Sequence, residues 1–313
     1  MTGLSLEQRL HAVEIQHPRF ADILSILQRR IDGAARGDAP MISWIVGPSR
    51  VGKTQLIRAL KRLYPQITSQ GHRRVPVAFA DSATSTTIKL LPMVVLKALD
   101  APFRLSNITA GKLTESMYTQ LKLAQTSHIV FDEASQMVEP GARLLPFAAG
   151  EWFKQTVNIA NVSQVLFGVP RLERLFEANV QLRMRAYTRI DWLPYDAMMD
   201  ADRVAYQTAV NTFLQVFRQA GWDFEPSVDE ITGNCYLHAP GLIGRLSDLM
   251  RVLARQIEST SPRRLRFADF SQAAASLESC GHPDIPAFKS ASCTMADLSR
   301  AYRHVLHANG MAK

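Results

Sequence analysis

The sequence predicts an α/β fold with a parallel five-stranded sheet that is covered by helices and followed by a small helical domain. The first observation is a phosphate-binding pattern from Gly47 to Thr54, which stands between a short apolar segment and an amphipathic one. The second is an alternation of strand-like and helix-like segments as far as about Pro194, which is typical of parallel sheets. The third is that only helical patterns follow Pro194.

Each predicted strand is a short, mostly apolar run. Along the chain the five strands are "MISWIVG", "VPVAFAD", "HIVFDEA", "SQVLFG" and "AYTRIDWL". Apolar residues at helical spacing precede the first strand in "RFADILSILQRRIDGAARG". The same spacing recurs in "QLIRALKRLYP", "IKLLPMVVLKALD", "GKLTESMYTQLKLAQ" and "ARLLPFAAGEWFKQTVNIAN", the last of which contains Pro146, a residue that can bend a helix.

The chain beyond the last strand is predicted to form a separate helical module. Its helical segments are "YDAMMDADRVAYQTAVNTFLQVFRQAG", "APGLIGRLSDLMRVLARQIES" and "FADFSQAAASLE". We therefore divide the chain into an N-terminal helical segment (1–40), a nucleotide-binding core (41–194), a helical lid (195–280) and a C-terminal tail (281–313). The tail contains two prolines and a weak helical pattern, so we expect it to be loosely packed.

The composition sets broad limits on the class of protein. Of 313 residues, 47% are apolar, which is enough for a packed core. The net charge of +8 suits a polyanionic partner such as nucleic acid, although many ordinary proteins are as basic. The cysteines, Cys235, Cys280 and Cys293, are too scattered to indicate a disulfide framework or a zinc site. No segment has the pattern of a signal peptide or a membrane span, so we expect a cytoplasmic protein.

The loop "GPSRVGKT" has the residue types that a nucleotide phosphate requires. Its glycines allow a tight turn whose backbone N–H groups, with the start of the next helix, form a nest for anionic oxygens. Lys53 is predicted to reach the β- and γ-phosphates of ATP, and the Thr54 hydroxyl to bind Mg²⁺. A chance match is the alternative, which the strand–loop–helix context disfavours. The predicted nucleotide-binding residues of this segment are Gly47, Pro48, Ser49, Arg50, Val51, Gly52, Lys53, Thr54 and Gln55.

Two carboxylates end the predicted strand "HIVF". Asp132 and Glu133 then lie at the C-terminal end of a buried strand, where doubly wound sheets bind their ligands. We predict that Asp132 holds the Mg²⁺ of the nucleotide with Thr54, and that Glu133 deprotonates the water that attacks the γ-phosphate. The alternative is that the two residues merely open a solvated loop. Because activation of water favours hydrolysis, the pair indicates an ATPase rather than a small-molecule kinase.

Together these segments resemble the AAA+ ATPases, and more narrowly the TniB/TnsC regulators of transposition. The resemblance covers "DAPMISWIVGPSRVGKTQLIRAL", "TIKLLPMVVLKALDAPF", "HIVFDEASQM", "SQVLFGVPRLERLFEANVQLRMRA" and "APGLIGRLSDLMRVLARQ", from about Pro18 to Leu277. Many ATPases share the phosphate loop and the Asp-Glu pair. The Gly-Val-Pro segment with Gln181, Leu182 and Arg185 is what points to this subgroup. The resemblance implies an AAA+ P-loop NTPase core followed by a small helical lid.

The family resemblance also implies a function, that of an ATP-dependent, DNA-binding regulator of transposition in the bacterial cytoplasm. Such proteins assemble with ATP on double-stranded DNA as homo-oligomers, in a ring or a helical filament. They link a target-selector protein to the transposase and discharge the complex on hydrolysis. Other AAA+ switches such as helicase loaders, and a scaffold that binds ATP without hydrolysing it, are the alternatives. A P-loop kinase is a third, which Glu133 and the helical lid disfavour.

The resemblance assigns roles to three arginines. Arg185 matches the family's arginine finger, which would reach the γ-phosphate bound to a neighbouring subunit. Arg183 is a second candidate, and a plain surface arginine is the alternative for both. Arg245 matches the sensor-2 position, which contacts the γ-phosphate in the same subunit, and a purely structural arginine is its alternative.

Two further features bear on turnover and on DNA. AAA+ proteins usually have a polar residue, called sensor 1, at the end of the fourth strand, whereas this chain has Phe-Gly-Val at 167–169. We therefore expect slow hydrolysis that relies on Glu133. Three segments are candidates for contacts to DNA phosphates. They are the basic stretches "GHRR" (71–74) and "SPRRLR" (261–266), and the segment with Lys89, Lys97 and Arg104. Solvated loops are the alternative for each basic stretch.

Overall fold

The structure is a computed structural model that describes residues 4–13, 15, 17–69, 72–81, 87–102, 108–139 and 144–311. The strands are β1 (Ile42–Val46), β2 (Ile67–Ser69), β3 (His72–Arg74), β4 (Val77–Asp81), β5 (His128–Asp132), β6 (Ser163–Gly168), β7 (Ile190–Asp191), β8 (Asp223–Phe224) and β9 (Arg264–Leu265). The helices are α1 (Leu6–Ala12), α2 (Pro18–Ala35), α3 (Lys53–Leu63), α4 (Leu90–Ala98), α5 (Ala110–Leu123), α6 (Pro146–Ala160), α7 (Glu173–Glu177), α8 (Val180–Arg183), α9 (Asp200–Gln219), α10 (Val228–His238), α11 (Ile243–Ile257), α12 (Phe267–Ala275) and α13 (Met295–Ala308). Two short 3₁₀ helices span Ala134–Val138 and Pro170–Leu172.

The predicted parallel five-stranded sheet is confirmed. Its order is β4-β5-β6-β1-β7, and every neighbouring pair is parallel. The register pairs Val46 with Gly168 and Asp81 with Asp132, so these strands end at one edge of the sheet. The phosphate loop begins at this edge, where β1 ends. The acidic pair lies at the same edge, at the end of β5.

The neighbouring strands β1 and β6 are buried on both faces of the sheet. All five residues of β1 and all six of β6 are buried, which explains why these strands are nearly continuous apolar runs rather than alternating ones. Helix α3 buries Leu56, Ile57 and Leu60 on one side, as its helical spacing predicts. Trp44 of β1 stacks on Phe176 of α7 with the ring centroids 4.1 Å apart.

Some local elements differ from what the sequence patterns indicate. Helix α6 begins at Pro146 instead of bending there, because proline is well tolerated in the first turn, where its missing N–H has no helical partner. The basic stretch at 71–74 contains β3, which pairs antiparallel with β2. The two-residue strands β8 and β9 pair in the region where only helices were predicted, since two residues are too few to show a periodicity.

The chain forms two compact units. One contains residues 22–47 and 53–192, and includes the five-stranded sheet. The other contains residues 1–21, 48–52 and 193–313, and its core is built mainly from helices α9 to α13. In the second unit, helix α13 buries Leu298, Ala301, Tyr302 and Val305. Among the described helices, none combines the length and the apolar character that a membrane crossing requires.

Candidate nucleotide-binding site

The phosphate loop connects β1 to α3. Gly52 has φ 124°, a conformation that is essentially restricted to glycine, so this position requires the residue that the sequence provides. Arg50 also has a positive φ of 66°, which is uncommon for a residue with a side chain. The Gly47 N–H donates to the Gly168 carbonyl at 3.1 Å, which fixes the start of the loop against β6. Ser49, Thr54 and Gln55 are exposed, so their polar groups are available to a ligand.

Lys53 is held at the base of this loop. Its side-chain Nζ donates to the Gly47 carbonyl at 2.7 Å, and the residue is only 8% exposed. Burial lowers the pKa of Lys53 to about 8, while the negative charges of Asp132 and Glu133 oppose this shift. The electrostatic effect of both carboxylates on Lys53 agrees with the predicted grouping of these three residues at one edge of the sheet.

Asp132 is the last residue of β5 and is partly buried. Its Oδ1 accepts a hydrogen bond from the Glu133 backbone N–H at 2.9 Å. Burial raises the pKa of Asp132, and the negative charges of Glu133 and Asp81 raise it further. The hydrogen bond from the Glu133 N–H and the positive charge of Lys53 lower this pKa. A carboxylate in this position and the exposed Thr54 hydroxyl at the start of α3 offer the oxygen ligands that Mg²⁺ prefers, so the residues present fit that ion.

Asp81 is a candidate site residue that the sequence analysis missed. It ends β4 directly beside Asp132 in the parallel register, and it is exposed. The sequence contains a pattern that could have identified Asp81, because the apolar runs of "VPVAFAD" and "HIVFDEA" are each followed by an aspartate. Only the pairing of β4 with β5 makes the two residues neighbours.

Glu133 adopts the left-handed conformation, with φ 50° and ψ 37°, at the point where β5 passes into a 3₁₀ helix. Its carboxylate accepts a hydrogen bond from the Gln136 side-chain amide. A non-glycine residue in this conformation costs roughly 1–3 kcal/mol, and such strain is concentrated at functional sites. Glu133 is exposed whereas Asp132 is partly buried, so the two adjacent carboxylates have different surroundings.

A hydroxyl does lie at the end of β6, but it comes from another element. Ser135 Oγ accepts a hydrogen bond from the Val169 N–H at 3.3 Å, and Ser135 is 4% exposed. A β-carbon at position 168 would lie 3.1 Å from the Cβ of Ser135 and from the Cδ2 of Leu172. The close approach of Ser135 therefore favours glycine at 168, where the family resemblance led us to look for a polar side chain.

The two finger candidates lie on and just after α8. Leu182 is buried and anchors this short helix, while Arg183 and Arg185 are exposed. The Arg185 carbonyl accepts a hydrogen bond from the Ile42 N–H at 2.9 Å, so the backbone here is tied to β1. Within the described ranges, neither guanidinium forms an ion pair, and no contact joins either one to Lys53 or Asp132.

The sensor-2 candidate Arg245 lies near the start of α11. One of its side-chain nitrogens is 3.7 Å from the Asp248 carboxylate, and the guanidinium also donates to the Glu278 carbonyl. Arg50 of the phosphate loop pairs with the same carboxylate at 3.3 Å. Arg245 is thus surrounded by contacts within its own unit.

The basic stretches differ in how far their charges are already paired. At 261–266 every arginine faces a carboxylate, with Arg263 on Asp269, Arg264 on Asp223 and Arg266 on Glu225. In the stretch at 71–74, Arg73 pairs with Asp100, whereas Arg74 is exposed. Lys97 is exposed, and Arg104 lies outside the described residues.

Residues 9–191 match the sequence profile of the family described as "Bacterial TniB protein", which covers more than half of the chain. The chain belongs to the TniB family. The match includes the phosphate loop, Asp132, Glu133 and the segment with Arg183 and Arg185, and it ends before Arg245. The resemblance stated from the sequence is therefore confirmed. No curated protein matches the sequence.

Solved structures show the fold class of this TniB protein. Cdc6p from Pyrobaculum aerophilum superposes with a TM-score of 0.63 at 12% identity, over 85% of this chain and 70% of that chain. The Aeropyrum pernix ORC1 protein in complex with DNA gives 0.60 at 19% identity, over 87% and 68%. The Aeropyrum pernix ORC2 protein in its ADPNP-ADP complexes gives 0.61 at 12%, over 95% and 75%. These likenesses confirm the AAA+ fold that the sequence resemblance implied.

Proposed function

We propose that this TniB protein is an ATPase that binds double-stranded DNA and regulates transposition. The observation that carries the proposal is the grouping of Lys53, Asp132 and Glu133 at the sheet edge that follows β1, in a chain of the TniB family. Relatives in fold were solved with ADP and ADPNP and with DNA, which supports nucleotide and DNA as ligands here.

The chemistry assigns a separate task to each residue. Lys53 holds the β- and γ-phosphates, and the backbone N–H groups of residues 47–54 surround them. Thr54 and Asp132 hold Mg²⁺, which neutralises phosphate charge when it is bound. Glu133 takes a proton from the attacking water as the water oxygen forms a bond to the γ-phosphorus. The bond from that phosphorus to the bridging oxygen breaks, and ADP and inorganic phosphate leave.

A neighbouring copy supplies the remaining charge in this scheme. Arg185, or Arg183 in its place, reaches the γ-phosphate held by the adjacent subunit. Both side chains are available for this contact, since they are exposed and form no ion pair within the described ranges. The protein then assembles with ATP as a homo-oligomer on target DNA, connects a target-selector protein to the transposase, and is released by hydrolysis.

A second candidate is a scaffold that binds ATP without hydrolysing it. The observation in its favour is the end of β6, where Gly168 packs against Ser135 and offers no polar side chain of its own. Phosphate release by the purified protein, measured with and without double-stranded DNA, distinguishes the two functions. DNA-stimulated release supports the ATPase. Stable ATP binding and assembly on DNA without release would instead support the scaffold.

A further inference from the structure

Asp248 is a nearly buried carboxylate that faces three arginines. Its side chain is 9% exposed and contacts the guanidinium groups of Arg50, Arg245 and Arg251. Arg245 and Arg251 lie one turn before and one turn after Asp248 on helix α11. Arg50 comes instead from the phosphate loop, so the carboxylate joins that loop to the helix.

The loop and the helix are also joined through the backbone. Helix α11 has Leu242 as its N-cap, which provides no side-chain hydrogen bond to the free N–H groups of the first turn. The Gly244 N–H donates to the Arg50 carbonyl at 2.8 Å instead. A β-carbon on residue 244 would lie 2.5 Å from that carbonyl oxygen, so only glycine permits this approach. The phosphate loop therefore caps helix α11.

The conformation of Arg50 suits both contacts. A residue with φ near 66° would usually be glycine, so arginine at this position costs free energy. The ion pair between Nη1 of Arg50 and Asp248 Oδ2, at 3.3 Å, offsets part of that cost. Because the carboxylate is shielded from water, this pair is screened less than one between two exposed groups, although Arg50 itself is 58% exposed.

We propose that Asp248 is a positioning residue that couples the phosphate loop to helix α11 by holding Arg50. The coupling works in both directions. Phosphates bound in the loop fix the Arg50 carbonyl and so stabilise the first turn of α11, and release of Arg50 from Asp248 loosens the loop and weakens nucleotide binding. The proposal rests on the proposed function, since it assumes that this loop binds a nucleotide.

A double-mutant cycle on Mg-ADP affinity, measured by titration calorimetry, tests the coupling. Arg50→Ala and Asp248→Asn should each weaken binding by about threefold to tenfold, and the double variant should be no weaker than the worse single one. Alanine and arginine carry the same backbone strain at position 50, so the loss reports the side chain. Arg50→Lys should recover part of the affinity, because it keeps the charge.

Arg251→Ala is the matched control. Arg251 contacts the same carboxylate but lies outside the phosphate loop, so its removal should leave Mg-ADP affinity within about twofold of wild type. The proposal would be overturned if the affinity losses of Arg50→Ala and Asp248→Asn multiplied in the double variant. It would also be overturned if Arg251→Ala weakened Mg-ADP binding as much as Arg50→Ala does. Wild-type protein that fails to bind Mg-ADP or Mg-ATP would overturn the proposed function, and with it this coupling.

Hydrogen exchange provides a second readout that does not need Asp248→Asn to fold. Asp248 keeps two arginine partners in Arg50→Ala, so this variant should remain folded. Saturating Mg-ADP should slow exchange in the first turn of α11 in wild type and in Arg251→Ala, but not in Arg50→Ala. Equal slowing in Arg50→Ala, at equal occupancy, would show that the loop reaches the helix without Arg50.

Discussion

At the scale of single residues, Lys53 and Glu133 should fail in different ways when they are changed. Lys53→Ala removes the charge that holds the β- and γ-phosphates, so nucleotide binding should be lost. Glu133→Gln keeps the shape of the side chain and removes the base, so ATP should still bind while turnover falls by at least about a hundredfold. Equilibrium binding and phosphate release measure the two effects separately. Normal phosphate release by Glu133→Gln would remove Glu133 from the mechanism.

The pKa of Lys53 makes a second prediction about pH. Because burial lowers this pKa to about 8, a rise in pH past that value removes the proton from the free protein and with it the positive charge. ATP affinity should therefore be constant from pH 7 to about 8 and then fall, approaching tenfold per pH unit. The control is Lys53→Arg, whose guanidinium stays protonated throughout. A decline of the same steepness in Lys53→Arg would assign the pH effect to another group.

At the scale of elements, helix α8 and the residues after it present two exposed arginines that form no ion pair with any residue the structure describes. Arg185→Ala should leave ATP binding by the monomer nearly intact while it abolishes hydrolysis, since fingers that act in trans contribute roughly 10³-fold or more in related systems. Arg183→Ala is the matched variant from the same segment. If Arg183→Ala is inactive and Arg185→Ala is not, the finger is Arg183.

Mixing variants tests whether the site is completed between subunits. Arg185→Ala retains Glu133, and Glu133→Gln retains Arg185, so some interfaces in a mixture contain both intact residues. Turnover should return in the mixture although neither variant is active alone. A mixture that is shown to co-assemble and yet releases no phosphate would contradict catalysis in trans.

At the scale of the whole molecule, the net charge of +8 suits binding to the DNA backbone. We expect binding to require ATP, to be indifferent to sequence and to weaken by about tenfold or more between low and physiological salt. The arginines at 261–266 already face carboxylates, so substituting them should alter the salt dependence less than substituting Arg74. Fluorescence anisotropy with duplexes of unrelated sequence measures both effects. Tight binding to one sequence alone, or binding that salt leaves unchanged, would argue against backbone contacts.

The sequence by itself determined the features that depend on neighbouring residues. Apolar runs, glycine positions and helical spacing are local properties of a sequence. For this reason we could predict the five sheet strands, the loop from Gly47 to Thr54 and the Asp132–Glu133 pair. The TniB family could be predicted for the same reason, since its motifs are continuous segments.

Only the tertiary structure decided which distant residues meet. Asp81 lies beside Asp132 because β4 pairs with β5, the close approach of Ser135 favours glycine at position 168, and Asp248 faces Arg50 across almost 200 positions of sequence. No local pattern encodes such contacts, because they depend on strand order, register and the packing of α11 against the loop. The periodicity of a segment shows which of its faces is buried. Which other segment packs against that face depends on the free energy of the whole fold.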